Sequence, residues 1–211
     1  MKKCFALFLI LILLLGLSTT AAADGFDLTV FEGAENIGVD EDEMEGDAYI
    51  DLESYKPCFF EPGYSENYYC SFYPSIYVSG DDGRAVFRMF CRFFGESWAF
   101  IDEIIIKVGD NRYSFTNVEA DRKVDDDTSD IIEVVAIVID SNSVAFMKDL
   151  QLHSKDTIKV RLKGDNYNCD FTMSDTMIES ILNMYDLYVQ AGGTDSDNLD
   201  KIVETTPMTV R

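Results

Sequence analysis

The chain has 211 residues, 47% of them apolar and 13% aromatic, enough for one domain with a proper core and too few for two domains plus linkers. Its 39 acidic residues outweigh 17 basic ones, for a formal charge of −22. Such an excess repels phosphate backbones and no stripe of Lys and Arg reverses it locally, so nucleic acid and anionic membrane surfaces are excluded as partners.

Residues 1–23 predict a secretory signal peptide. Lys2 and Lys3 form a positive start, Phe5 to Leu17 an unbroken apolar run, and Ala21-Ala22-Ala23 a small-residue cleavage site. The mature chain is expected to begin near Asp24, secreted or in the cell envelope, and not integral to the membrane once the signal is removed. An uncleaved anchor is the alternative, but the thirteen residues from Phe5 to Leu17 fall short of the about 20 that a span needs.

Residues 24–54 read as an acidic N-terminal lead-in, densest at Asp40-Glu41-Asp42-Glu43, with one strand at Ala48 to Leu52. Residues 55–191 form the expected globular body and residues 192–211 a flexible polar tail. Cysteines 58, 70, 91 and 169 survive processing, and an even number in an exported chain suggests disulfides. Cys58 and Cys70 bracket an aromatic-rich loop and are the expected bridge. Cys91 and Cys169 fall on inward-facing positions, as a second pair or as buried thiols.

Three hairpins follow from turn residues and matching apolar faces. A turn at Asp81-Asp82 sets Val78 opposite Ala85, Ile76 opposite Phe87 and Phe72 opposite Cys91. One at Asp110-Asn111 sets Val108 opposite Tyr113 and Ile106 opposite Phe115. One at Gly164-Asp165 sets Leu162 opposite Tyr167, Val160 opposite Cys169 and Ile158 opposite Phe171, leaving Lys159, Arg161, Lys163, Asn168, Asp170 and Thr172 on a wet face. Ile131 to Ile139 is apolar on both parities and reads as a central strand covered on two sides. A short helix is expected over Asn142 to Leu152, capped by Asn142, with Val144, Met147 and Leu150 on its apolar side. An amphipathic helix is expected from Ser174 to Ala191, packing through Ile178, Ile181, Leu182 and Tyr185, with Thr176 and Glu179 at capping-box spacing and Gly192 as its stop. The fold class is therefore α+β: mainly antiparallel sheet or sandwich built from hairpins, with one short helix and a C-terminal amphipathic helix.

Catalytic chemistry finds little footing. His153 is the only imidazole and lies where the short helix ends, a place that suits its interaction with the helix dipole. Glu96, Asp102 and Glu103 flank the lone Trp98, which makes a carboxylate-based polysaccharide hydrolase the alternative reading. The cysteine spacings fit no zinc site. Asp121, Asp125, Asp126, Asp127, Ser129 and Asp130 offer oxygens for calcium, but an EF-hand's turn glycine and closing glutamate are missing, so a solvated acidic loop is expected and no metal or cofactor is assigned. The most unusual stretch is Tyr55 to Tyr77. Tyrosines joined by Gly, Ser and Asn give rigid amphipathic contact area, so Tyr64, Tyr68, Tyr69 and Tyr73, with Trp98, are the expected ligand-binding residues. Alternatively, these rings fill the core.

From Ile131 to Val189 the order is strand, short helix, charged strand Thr157 to Lys163, hairpin, Asp170-Phe171-Thr172-Met173 and amphipathic helix. This stretch of pattern resembles the C-terminal half of the invasion-associated locus B family of exported bacterial proteins, and the resemblance does not extend to the first half. It implies an exported, non-catalytic, β-rich protein. The expected function is a non-enzymatic binding module recognising extracellular protein or glycan, with an envelope structural or inhibitor protein as a further alternative.

Overall fold

Alternating apolar residues put much of the described chain into antiparallel strands. The computed structural model describes residues 25–54, 58–60, 68–116, 120–124, 131–139, 143–166 and 168–193, so the expected signal segment, Tyr64 and most of the polar tail lie outside the described residues. After a 3-10 turn at Leu28–Phe31 come β1 (Ile37–Glu41), β2 (Ala48–Leu52), the two-residue β3 (Phe59–Phe60), β4 (Tyr68–Val78) and β5 (Ala85–Gly95). Next are β6 (Ile101–Val108), β7 (Asn111–Thr116), β8 (Ala120–Val124) and β9 (Ile131–Val138). Helix α1 (Val144–Leu152), β10 (Lys159–Gly164), β11 (Asn168–Thr172) and helix α2 (Asp175–Gln190) complete the order.

The strands form two antiparallel sheets. One has seven strands in the order β1-β2-β4-β5-β9-β8, with β3 added to the start of β4; the other has four, in the order β11-β10-β6-β7. A single buried cluster joins Phe72, Ile76, Phe87, Met89 and Cys91 of the large sheet to Ile104, Ile106, Val160, Leu162 and Cys169 of the small one, and the helices add Phe146, Met147, Ile178, Ile181 and Met184 to it. The arrangement is an α+β fold built as a β-sandwich, with two helices packing their apolar sides into its core. No described helix is long and apolar enough to cross a membrane.

The first hairpin has the expected register, with Phe72 opposite Cys91, Ile76 opposite Phe87 and Val78 opposite Ala85. The other two are each displaced by two residues, which keeps every side chain on its expected face. In the second, Val108 faces Asn111 and Ile106 faces Tyr113. The turn is Gly109-Asp110, because Gly109 adopts φ 56 and glycine alone takes that conformation freely at the first turn position of a two-residue hairpin. In the third, Val160 faces Phe171 and Leu162 faces Cys169. Its tip is tied down from outside: Asp165 and Asn166 donate their backbone N–H groups to the carbonyls of Phe100 and Ala99 at 3.3 and 3.2 Å.

Strand β9 is buried on both parities as expected, although it lies next to the edge strand β8 and not at the centre. The expected cap of α1, Asn142, lies outside the described residues; Ser143, which precedes the helix, makes no side-chain cap bond, and the buried residues are Phe146, Met147 and Leu150. In α2 the Ser174 hydroxyl accepts from Met177 N–H at 3.1 Å, so Ser174 supplies the cap in place of the Thr176 and Glu179 box. The buried face of α2 is Met177, Ile178, Ile181, Met184 and Tyr188, with Leu182 and Tyr185 partly buried.

Two expectations need correction. The strand expected at Ala48 to Leu52 is present as β2; what differs is that the acidic segment also supplies β1 and sends Phe31 and Ile50 into the core at 1% and 0% exposure. The four cysteines are all buried and none forms a disulfide. The expected Cys58–Cys70 bridge fails on register. Phe59 pairs with Ser71 and Phe60 with Cys70, so Cys58 lies two residues before the partner of Cys70. The resulting diagonal separation, about 7 to 8 Å between such positions, exceeds disulfide reach. Instead the Cys58 thiol contacts the Ser180 hydroxyl on α2 at 3.7 Å. Cys91 also stays a thiol, its pKa pushed up by burial and then by neighbouring Cys169 across the sandwich.

Candidate binding surfaces

The loop that carries the chain from β5 in the large sheet to β6 in the small one is held with unusual force. Glu133 on β9 has no solvent exposure, and its carboxylate accepts three successive backbone N–H groups: Ala99 at 2.6 Å, Phe100 at 2.9 Å and Ile101 at 3.0 Å. Arg122 on β8 neutralises that carboxylate at 3.1 Å and donates a further bond to the Ile101 carbonyl at 3.1 Å. This follows from register, since Arg122 pairs directly with Glu133 in the β8–β9 ladder. From the other side, Asn166 Nδ2 donates to the Trp98 carbonyl at 2.7 Å. Gly164 is required where it stands, because a Cβ there would collide with the Ala99 carbonyl oxygen.

Phe100 is the product of this clamp. It holds φ 57, a left-handed conformation that bulky residues avoid at a cost of about 1 to 3 kcal/mol. Its ring is 39% exposed, stacks on half-buried Trp98 with centroids 6.0 Å apart, and carries the Arg122 guanidinium 5.5 Å above it.

The second surface is the outer face of the large sheet. Tyr69, Tyr73 and Tyr77 share that face of β4, paired with Phe94, Phe90 and Val86 of β5. Tyr69 stacks on Phe94 at 4.5 Å and Tyr73 on Phe90 at 5.9 Å. Arginines interleave with the rings: Arg88 lies 5.4 Å from Tyr77 and 5.3 Å from Phe90, and Arg92 lies 5.9 Å from Phe94. The Tyr77 hydroxyl donates to Asp47 at 3.1 Å; burial and then this carboxylate raise its pKa to about 12. Burial also lowers the Arg88 pKa, while Asp51 draws it back up.

The sequence-predicted binding residues therefore separate. Tyr69 is 40% exposed but Tyr73 only 8%, so they do not make one open tyrosine patch, and core-like packing claims Tyr73. Tyr68 is registered opposite Gly95. Trp98 stacks on Phe100 of the crossing loop, and Arg122 of β8 lies over the Phe100 ring. Of the carboxylates flanking Trp98, Glu96 and Asp102 are exposed, and Glu103 is held by Lys163 at 2.8 Å and by Ser114. His153 pairs with Asp156 at 2.7 Å at the end of α1. Asp125, Asp126, Asp127, Ser129 and Asp130 lie outside the described residues, among which no group of three or more His, Cys, Asp or Glu side chains could hold a metal.

Sequence reasoning missed Glu133, Arg122, Phe100, Arg88 and Arg92. Glu133 was the one legible signal, a lone acid inside the otherwise apolar run Ile131 to Ile139. No family model matches the chain, and no curated protein or solved structure matches it.

Proposed function

We propose that this chain is an exported, non-enzymatic binding module that recognises extracellular protein or glycan, with the Trp98–Phe100 loop as its contact surface. The observation that carries this reading is the conformation of Phe100. A buried carboxylate, an arginine and three backbone N–H bonds hold a large apolar residue in a strained conformation while 39% of it stays exposed to solvent. Strain held by surrounding structure clusters at ligand contacts, and a preorganised aromatic anchor binds with little further ordering cost.

Phe100→Gly tests it. Glycine relieves the left-handed strain, which offsets part of what is lost with the Trp98 stack, the Arg122 cation–π contact and the covered part of the ring, so the melting temperature should fall only modestly and retention is compared well below it. Retention of the purified protein on immobilised cell-wall polysaccharide or extracellular-matrix protein should fall at least tenfold against the unmutated chain. Equal retention by the two proteins would overturn the reading, as would a large stability loss in the variant.

A further inference from the structure

We infer that Arg88, on the outer face of the large sheet, is the docking point for a single carboxylate carried on an apolar peptide segment of a partner protein. This site is independent of the crossing loop and its ligand contact.

Arg88 is a charge of this face that no ion pair meets among the described residues. Its planar guanidinium lies between the rings of Tyr77 and Phe90. Its Nε is sealed from solvent without a hydrogen-bond partner, whereas the terminal nitrogens are not sealed off. Among the described residues it forms no ion pair, although the chain has 39 acids against 17 bases. Its position follows from pairing: Arg88 stands opposite Ser75, and this small residue leaves room for the guanidinium to lie across β4 towards Tyr77. A half-buried cation that the chain does not satisfy, held flat by two rings, presents the fork of donors that a carboxylate takes in bidentate fashion.

The charge of the occupant follows from the surroundings. One guanidinium neutralises one negative charge, and Asp51, which acts electrostatically on Arg88, together with the net charge of −22, opposes a dianion or a polyanion. The body of the occupant follows from the neighbours. Phe90, Tyr49, Ala136 and Val138 are half-buried on this face. Of the hydroxyl groups nearest Arg88, that of Tyr77 donates to Asp47, and Ser71 and Ser75 are 0% and 1% exposed. Apolar flanks around one cation match a carboxylate on a hydrophobic peptide better than a uronate ring.

The experiment uses the full exported chain and three probes: N-acetyl-phenylalanine, its uncharged amide, and glucuronate. Binding is followed through the Arg88 Nε–H resonance and by calorimetry. The expected result is saturable movement of the Arg88 signal by N-acetyl-phenylalanine, at least tenfold weaker binding of the amide and of glucuronate, and loss of binding in Arg88→Gln. Phe100→Gly should bind the acid unchanged, which separates this inference from the loop reading. Equal binding of acid and amide, tighter binding of glucuronate, an unmoved Arg88 signal, or undiminished binding in Arg88→Gln would each overturn it. The comparison of acid with amide needs no variant, so it stands even where Arg88→Gln unfolds.

Discussion

A buried carboxylate is tolerated in a protein when its charge and all its lone pairs are engaged, and Glu133 meets that condition with three backbone donors and Arg122. The same completeness makes it irreplaceable by its nearest isostere. In Glu133→Gln one oxygen becomes an NH2 group, so a donor meets either the Ile101 N–H or the N–H groups of Ala99 and Phe100, and Arg122 loses its counter-charge. Breaking such a pair costs about 3 to 5 kcal/mol. Urea denaturation of the variant should show a loss of that size, with the Trp98 fluorescence changed in the native baseline as the loop is released. A loss under 1 kcal/mol would mean that the clamp does not hold the loop.

Among the elements, the small sheet is laced together on its wet face by charge. Glu103 on β6 accepts from Lys163 on β10 and from Ser114 on β7, and these bonds, Lys163 first, hold its pKa below the usual carboxylate range. A carboxylate with a depressed folded pKa adds stability that is present above its unfolded value, about 4.3, and is lost as the pH falls through the folded value. Lys163→Gln removes the largest cause of the depression. Thermal scans of the two proteins should therefore differ most near neutral pH, with the unmutated chain the more stable, and converge as the pH falls through 4 towards 3. A gap that stays constant over this range would show that Glu103 and Lys163 are not coupled in solution. The hairpins of this sheet also show what a sequence can state. Alternation fixed the faces of Val160, Leu162 and Cys169, because a wrong parity would bury Lys and Asp. It left the register open by two residues, because that step preserves the faces and is decided by Gly109 at its own turn and by contacts from the Ala99–Phe100 loop at the other.

For the whole molecule, closure depends on a segment that composition alone marks as expendable. The acidity of residues 24–54 conceals two strand faces and one aromatic anchor, and charge density says nothing about which sparse apolar residues will be buried. The aromatic run around Tyr69 and Tyr73 was legible as composition, yet whether each ring faces solvent depends on what covers the sheet, which local pattern does not carry. The N-terminal anchor is specific. Phe31 is 1% exposed and stacks on Phe26 at 5.8 Å, Phe26 meets Tyr188 of α2 at 5.6 Å, and the Asp27 N–H donates to the Ala191 carbonyl at 2.8 Å. Tyr188 in turn contacts Phe87 at 5.6 Å and donates to the Ala85 carbonyl at 3.2 Å. The first described residues are thus wedged against the last helix, and that helix against β5, so the first and last described segments stabilise one interface. Phe31→Ala should cost about 3 to 5 kcal/mol, as for other fully buried aromatic rings, and should loosen α2, since its neighbour Phe26 loses its backing. Val39→Ala is the control, because Val39 lies in the same acidic segment but is 39% exposed and should cost little. Denaturation midpoints, read with hydrogen exchange along α2, check both halves of this expectation. Equal stability of the two variants would return residues 24–54 to the status of a lead-in, whereas early exchange of α2 in Phe31→Ala alone identifies the N-terminal segment as the brace that holds the C-terminal helix on the sandwich.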